Sequence, residues 1–383
     1  MILPKNNEST VILPGQTIGI IGGGQLGRMM AIAARYMGYK IAVLDPTSNC
    51  PTAQVADEQI VAAYDDLDAI KELTTKSDVI TYEFENVDLT AARFIEKQGK
   101  LPQGSLALEI TQNREREKQF ITEANLPVPP FAIVRNRAEC EQAFEKIDFP
   151  AVIKTCQGGY DGKGQLKLTS ESDIPAAIIF AENNATCIIE QWISFDKEIS
   201  VVFTRAQTGE LTLFPIAEND HKDHVLHQTI VPAQISSNIE EKAIQAAERL
   251  AKEMGVVGTF AIEMFVQGES VFINEMAPRP HNSGHYTIEA CNVSQFTQHI
   301  RAICGWPLAP VELLQPAGMI NVLGEDIPAV LRVMETCPSG YLHLYGKAEP
   351  KEKRKMGHLT FIGETMEKVQ SSMQSFDEKI LDK

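Results

Sequence analysis

Two acidic residues stand in strand-like apolar surroundings, Glu263 in TFAIEMFV and Glu275 in VFINEMAP. A carboxylate among Phe, Ile and Met is costly to bury unless it is paired or holds a cation. The two segments read as arms of a hairpin turning around Gly268. Side chains alternate faces along each strand, so both acids share a face if the turn holds an odd number of residues, three for instance. Magnesium takes oxygen ligands and is commonly held by one or two carboxylates plus nucleotide phosphates; the competing reading is a pair of solvent-facing acids in an antiparallel sheet. Upstream, KTCQGGYDGKGQ (154–165) joins two strand-like runs. It is a glycine-rich hairpin and not a Walker loop, whose glycines open a helix and end in Lys-Ser/Thr. Lys154 on the strand is a fixed point charge, while Lys163 and the loop glycines can fold over phosphates; an ordinary mobile hairpin is the alternative. Directly after Glu275 comes APRPHNSGHYT, where Arg279, His281, Asn282 and His285 sit among Pro and Gly. Such a donor-dense loop suits an anion pocket. Lys347 and Arg354, in the basic run KAEPKEKRKMGH, could grip a further phosphate or form a solvated basic face.

A second phosphate-type signal lies near the N-terminus. In TIGIIGGGQLGRMM, a β-branched run is followed by Gly22-x-Gly24-x-x-Gly27 and then by Leu26, Met29, Met30, Ala33 and Met37 at helical spacing. A strand-turn-helix of this kind presents backbone N–H groups and the positive end of the helix dipole to an anion. KIAVLD follows as a second strand, with Asp45 where a dinucleotide fold places its ribose-binding acid. The turn alone leaves three readings open: a nicotinamide or flavin dinucleotide, another phosphate ligand, or strand–helix packing.

These groups must be held by several packed units, because 383 residues exceed the usual size of one core. Strand–helix alternation through DVITYEF predicts a doubly wound α/β unit over residues 1–112. Beyond the helix-like NREREKQFITEA and the break LPVPP, the short strands FAIV, AVIKT, QLKLT, CIIEQWI, EISVVF and LTLFPIA predict an α+β unit over 113–307. Within it, IEEKAIQAAERLAKEMG is a long amphipathic helix with a glycine cap. A small final unit, 308–383, reads as short strands and turns.

A formal charge of −16 disfavours nucleic acid, which needs Lys and Arg to neutralise phosphates. No apolar run reaches the roughly 18 to 20 residues of a membrane helix, and no secretory leader is visible. The seven cysteines (50, 140, 156, 187, 291, 304 and 337) are scattered singly, which suits a reducing cytoplasm and argues against structural zinc.

In this order, the glycine-rich βα turn, the Lys strand with GGYDGKGQ, EQWISFDKE, the paired glutamates and APRPHNSGHYT resemble the ATP-grasp superfamily. From GGGQLGRM through YEFENV to YGKAEPKEKRKMGH, nearly the whole chain is similar to the bacterial N5-carboxyaminoimidazole ribonucleotide synthetases (PurK family). The resemblance implies a pre-ATP-grasp Rossmann-like unit, an ATP-grasp unit and a small C-terminal unit. It also implies ATP-dependent carboxylation of 5-aminoimidazole ribonucleotide by bicarbonate through carboxyphosphate, a magnesium cofactor with manganese as an alternative, and a cytoplasmic homodimer.

Carried over residue by residue, it gives Arg114 and Lys154 as nucleotide-phosphate contacts, with Gly159, Tyr160, Asp161, Gly162, Lys163, Gly164 and Gln165 as the lid above them. Glu190, Gln191, Trp192 and Ile193 would hold adenine through backbone groups, Glu198 the ribose hydroxyls, and His221 and Asn274 further parts of the nucleotide. Glu263 and Glu275 would hold the metal. Tyr160, Asp161, Arg279, His281, Lys347 and Arg354 would surround the ribonucleotide, with Asp161 taking or orienting the amine proton and Arg279 and His281 near the reacting group. Glu85 and Gln25 would approach the same substrate, so the glycine turn would face a ribonucleotide and no dinucleotide. The chain departs from many ATP-grasp enzymes at Ala277, where an additional Asn ligand is common; waters or Asn274 would complete that shell. The sibling formate-using glycinamide ribonucleotide transformylases share the PRPH loop, whereas HNSGHYT and LYGK…KRKMGH favour the carboxylase. Two other classes compete. A dinucleotide-dependent oxidoreductase would leave the lid and paired acids unexplained, and a nucleotide-binding regulator would bind ATP without substrate-dependent turnover.

Overall fold

The computed structural model describes residues 11–158, 164–335 and 340–381. The apolar run TIGII forms β1 (Thr17–Ile21), joined by β2 (Lys40–Leu44), β3 (Glu58–Ile60) and β4 (Val79–Tyr82) in one parallel sheet of order β3-β2-β1-β4. β1, β2 and β4 are buried almost throughout, as parallel strands covered on both faces must be. The helix α1 (Gln25–Tyr36) covers one face with Leu26, Met29, Met30 and Ala33. Helices α2 (Leu67–Lys76) and α3 (Leu89–Lys97) cover the other, so the doubly wound expectation holds. A short helix, α4 (Leu106–Thr111), leads out of this unit.

The helix α5 (Arg114–Glu123) is started by Asn113, whose side chain accepts the N–H groups of Glu115 and Arg116. It precedes an antiparallel sheet of order β5-β8-β6-β7, made of β5 (Phe131–Val134), β6 (Ala151–Thr155), β7 (Gln165–Leu168) and β8 (Cys187–Gln191). Helices α6 (Arg137–Ala143) and α7 (Ile174–Glu182) back it through Cys140, Ala177 and Ile178. The strands flanking the glycine-rich segment pair antiparallel as expected, with Lys154 opposite Gln165. Gly159, Tyr160, Asp161, Gly162 and Lys163 lie outside the described residues.

The largest sheet is built from β9 (Lys197–Arg205), β10 (Leu211–Leu213), β11 (Ala217–Lys222), β12 (Val225–Val231), β13 (Gly258–Gln267), β14 (Ser270–Ala277), β15 (Ala317–Leu323), β16 (Gly340–Leu344) and β17 (Lys355–Ile362). Its order is β14-β13-β9-β11-β12-β15-β17-β16, with β10 on β9. The predicted amphipathic helix is α8 (Ser237–Met254). It is capped by Ser236 and by Gly255 at φ 62°, and buries Ala243, Ala247 and Leu250 against β9 and β13. The C-terminal strands pair with β12 and so continue the same sheet. After the single turn α9 (Thr287–Ala290), helix α10 (Gln295–Ile303) packs Phe296, Ile300 and Ile303 against α1 and β1. Its buried His299 accepts the Thr259 N–H at Nδ1, 3.0 Å away, which leaves Nε2 to donate to the Thr81 hydroxyl at 2.8 Å. Burial pushes that imidazole down to about 3, so it joins β4 to β13 as a neutral bridge.

Helix α11 (Ile327–Met334) and the terminal α12 (Met366–Leu381) cover the C-terminal strands. The sequence reading of short strands and turns misses α12. Its buried positions are only Val369, Met373 and Phe376, with Met366 and Ile380 partly buried at the ends, and its partner surface is created by distant strands.

The glycine turn tests what these residues are for. A Cβ on Gly27 would lie 2.5 Å from Thr52 Oγ1 and 2.8 Å from the Gly22 carbonyl. Gly27→Ala should therefore cost about 1–3 kcal/mol in denaturant unfolding, and an unchanged midpoint would rule out the close packing described.

Candidate active site

The carboxylate pair is assembled by a device that the odd-turn expectation omits. β13 and β14 are joined by a two-residue turn, with Gln267 opposite Ser270 and Gly268 at φ 56°. Uninterrupted pairing from that turn would set Glu263 against Asn274. Instead a β-bulge shifts the register, so Met264 faces Ile273 while Glu263 faces Glu275. An even turn plus one bulged residue thus does what an odd turn would have done.

Both acids line one cavity, and burial together with the Glu275 charge pushes Glu263 up to about 8. Arg114 lies 3.4 Å from Glu275, and His281 Nε2 lies 3.3 Å from Glu263. Two facing oxygen ligands with one carboxyl already disfavoured as an anion fit a hard divalent cation. Among the described residues no three His, Cys, Asp or Glu side chains converge into a closed metal cage. A cation held by these two acids would be in an open site, its remaining ligands phosphates and water.

Behind the pair, Glu190 of β8 is 2% exposed and sits between two ammonium groups. Lys118 of α5 is 2.8 Å from one oxygen and Lys154 of β6 is 2.7 Å from the other. Burial alone would raise this carboxyl, but the two lysines override it and hold it well below the usual range. The Glu190 side chain is thus an internal counter-ion, while Gln191, Trp192 and Ile193 continue along the cavity wall. The N–H groups of Gln191 and Trp192 are spent on the Pro130 and Pro150 carbonyls. Phe195 and Phe265, stacked at 4.8 Å, add an apolar wall beside them. Glu198 reaches His221 at 2.7 Å; burial would lower that imidazole, but the carboxylate overrides it and raises its proton affinity. Lys154, Gln165, Asn274 and His221 all line the same space, and Gly164 closes the hairpin at φ 72°.

Further lining comes from the first unit and the PRPH loop. Gln25, Glu83 and Glu85 line the cavity with Arg279 and His281. Arg279 Nε donates to Glu85 at 2.7 Å, and the guanidinium overcomes burial to hold that carboxyl below its ordinary value. His281 is neutral, lowered first by burial and then by Arg279 and Lys355. Its Nδ1 meets the Ser283 hydroxyl at 2.8 Å.

The glycine turn is not an open anion seat. Gly24 and Gly27 N–H groups donate to Glu83, the latter at 2.7 Å, and Gly23 donates to Asp45 at 2.7 Å. Asp45 also takes the Tyr64 hydroxyl at 2.7 Å, so its role in a dinucleotide reading is gone. The chain's own carboxylates sit where a pyrophosphate would. Only Gln25 and Leu26 of the turn reach the cavity.

Lys347 and Arg354 are not among the lining residues, although the Lys347 ammonium is close enough to act on the Glu83 carboxyl. Lys347 donates to the Lys355 carbonyl at 2.7 Å, and exposed Arg354 donates to the Glu349 carbonyl at 3.0 Å. Lys355, which the sequence reading passed over, lines the cavity instead. Glu83, Glu117 and Lys118 were also missed. Nothing local distinguishes Glu83 from Glu85 in YEFEN, or Glu117 and Lys118 from the surface charges of NREREK. The cavity measures about 1160 Å³, above the roughly 300–1,000 Å³ of a single small-ligand site, so it has room for two substrates.

Comparison with known proteins agrees along the chain. Residues 15–112 match the ribonucleotide synthetase preATP-grasp domain, 119–296 the ATP-grasp domain, and 317–372 the phosphoribosylaminoimidazole carboxylase C-terminal domain. The chain is 49% identical over 353 residues to the N5-carboxyaminoimidazole ribonucleotide synthase of Bacillus subtilis, covering 92% of this chain and 93% of that protein. The Staphylococcus aureus enzyme of the same name is 42% identical over 361 residues, with 94% and 96% covered. Among solved structures, an ADP complex of a purK N5-carboxyaminoimidazole ribonucleotide synthetase superposes with a TM-score of 0.93 at 53% identity, covering 97% and 98% of the two chains. The Aspergillus clavatus N5-carboxyaminoimidazole synthase in complex with ADP and 5-aminoimidazole ribonucleotide gives 0.90 at 28% identity, with 96% and 99% covered.

The Glu190 pairing has a pH signature. Its folded pKa lies below the unfolded value of about 4.3, so its stabilisation is complete above that pH and is lost as pH falls towards the folded value. Glu190→Gln should cost about 3–5 kcal/mol at pH 7 by leaving the buried Lys118 and the partly buried Lys154 without a counter-charge. The difference from wild type in denaturant unfolding should shrink only below about pH 4.3. A constant difference down to pH 3 would contradict the pairing.

Proposed function

The chain belongs to the N5-carboxyaminoimidazole ribonucleotide synthase family of ATP-grasp enzymes, and from that premise we propose how its cavity works. It is an ATP-dependent carbon–nitrogen ligase that makes N5-carboxyaminoimidazole ribonucleotide from 5-aminoimidazole ribonucleotide in purine biosynthesis. In our reading the carboxyl donor is bicarbonate. Its oxygen attacks the γ-phosphorus of ATP, the bond to ADP breaks, and carboxyphosphate forms. The exocyclic amine then forms the C–N bond as the carboxyl carbon parts from phosphate, and the amine proton passes to a base.

The observation that carries this reading is the single cavity. Glu263, Glu275, Arg114 and Lys154 line it together with Gln25, Glu85, Arg279 and His281. Glu263 and Glu275 would hold magnesium, or manganese in its place, which when bound neutralises charge on the phosphates. Arg114 and Lys154 grip the nucleotide phosphates beneath the hairpin 159–165. The segment 190–193, Glu198, His221 and Asn274 hold the remainder of ATP. Arg279, fixed by Glu85, gives a planar cation at the reacting centre. His281, kept neutral by burial, can donate or accept there. Asp161 is our candidate for the amine proton, with Tyr160 and Gln25 beside the substrate and Lys347 and Arg354 for its 5′-phosphate. In this reading the unit 1–112 contributes to the ribonucleotide side, 113–307 holds the nucleotide and supplies Arg279 and His281, and 308–383 supplies the phosphate grip. A cytoplasmic homodimer completes the proposal, and among the described residues no helix is long and apolar enough to cross a membrane.

The direct test is ADP release with ATP and magnesium, with and without 5-aminoimidazole ribonucleotide and labelled bicarbonate. Glycinamide ribonucleotide with formate runs in parallel. Label entering an unstable product only with the first pair is the expected result, and release only with the second pair would reassign the substrate. Glu275→Gln should lower turnover more than about 100-fold, since several kcal/mol of charge stabilisation is removed. Near-normal turnover in that variant would refute the metal assignment. Arg354→Ala should raise the ribonucleotide KM roughly 10- to 100-fold, the worth of a charge-assisted hydrogen bond, with little change in the ATP KM. Equal effects on both would remove Arg354 from the phosphate site.

A further inference from the structure

Helix α5 meets β14 at three consecutive spacings. Arg114, Glu117 and Lys118 occupy positions i, i+3 and i+4, so they share one helical face. Each addresses a different part of the same short backbone stretch. Arg114 lies 3.4 Å from the Glu275 carboxylate. Glu117 accepts the Met276 N–H at 2.7 Å, immediately after Glu275. Lys118 donates to the Asn274 carbonyl at 2.8 Å, immediately before it. Glu117 and Lys118 are 2% and 1% exposed, although ionisable side chains are almost never fully buried unless paired.

This stretch is also where the β13–β14 register slips. A bulge interrupts the ladder and leaves backbone groups that need other partners. Here the two ionisable side chains of α5 provide partners on either side of Glu275. We infer that Glu117 and Lys118 are positioning residues that hold the bulge at Asn274 and so set Glu275 opposite Glu263. The inference rests on the reading of those two carboxylates as the cation site. Through Glu190, which pairs with both Lys118 and Lys154, the same grip ties the bulge to the lysine facing the nucleotide phosphates. Carboxylate ligands must be held within about 0.5 Å of working geometry, and a bulged edge strand would not keep that tolerance unaided.

The role is one of hydrogen-bond reach and not of charge, which two close substitutions separate. Glu117→Gln keeps an acceptor at the same reach and removes the charge. Glu117→Asp keeps the charge and withdraws it by one methylene. The readouts are Mn2+ binding in the presence of ADP, followed by electron paramagnetic resonance without turnover, and the magnesium concentration for half-maximal activity. Glu117→Asp should weaken both about 10- to 100-fold, the usual effect of losing a residue that orients a metal ligand. Glu117→Gln should stay within about threefold of wild type, and the ribonucleotide KM should move little in either. Thermal melting confirms folding, and Glu117→Asn, which also falls short of Met276, replaces Glu117→Asp if that variant does not fold. Wild-type cation affinity in the shortened variant overturns the inference, and so does a Gln variant as weak as the shortened one. Glu263→Gln is measured alongside. If it binds Mn2+ normally, the carboxylate assignment fails and the inference falls with it; if it is weak while the shortened variant is normal, only the inference fails.

Discussion

The buried carboxylate of Glu190, held between Lys118 and Lys154, is the interaction on which the site depends. An ion pair at this depth loses so much hydration that it is weak evidence for net stability. Its value lies in geometry. Lys118 belongs to α5, whereas Glu190 on β8 and Lys154 on β6 stand on neighbouring strands of the small antiparallel sheet, so one carboxylate ties that sheet to a helix with which it shares no strand pairing. Removing Glu190 or Lys118 leaves a charge in low dielectric, so the pair favours one placement of the helix against the sheet.

A second constraint is that carboxylates here play opposite parts according to their neighbours. Glu83 sits under the glycine turn and takes the N–H groups of Gly24 and Gly27, filling with an internal side chain the seat that dinucleotide folds leave for a phosphate. Glu85, two residues on, points to Arg279. Glu263 faces another acid, so its charge is disfavoured until a cation is supplied. Identical functional groups within one cavity are thus a structural anchor, a positioning partner and a candidate ligand. The bend that follows β4 separates Glu83 from Glu85, and cross-strand register pairs Glu263 with Glu275.

The C-terminal unit is bound into the same framework. Its strands extend the large sheet through β12 and β15, and His343 and His358 stack across β16 and β17 at 4.6 Å. His358 meets the Tyr345 hydroxyl at 2.9 Å and lies 4.6 Å, ring to ring, from His285 of the donor-dense loop. The two motifs HNSGHYT and LYGK…KRKMGH, which looked like separate signatures in the sequence, therefore meet in one buried cluster. Burial, with neighbouring imidazoles adding to it, holds His285 and His358 well below the ordinary histidine range.

By itself the sequence determined whatever depends on near neighbours. The parallel strands and covering helix around Gly22 to Gly27, the hairpin from Lys154 to Gln165, the strands bearing Glu263 and Glu275, and the Gly255 cap were all legible, because periodicity and glycine placement record local hydrogen bonding and burial. The donor-rich loop at Arg279 was legible from composition. Tertiary structure alone decided the rest. The bulge at Asn274 exists because α5 supplies partners for it, Glu83 and not a ligand fills the glycine turn, Lys355 and not Lys347 lines the cavity, and α12 is helical against strands far away in the chain. In each case the deciding energy is that of burying a polar or apolar group beside a partner brought from a remote segment, and no local pattern of residues records which partner that will be.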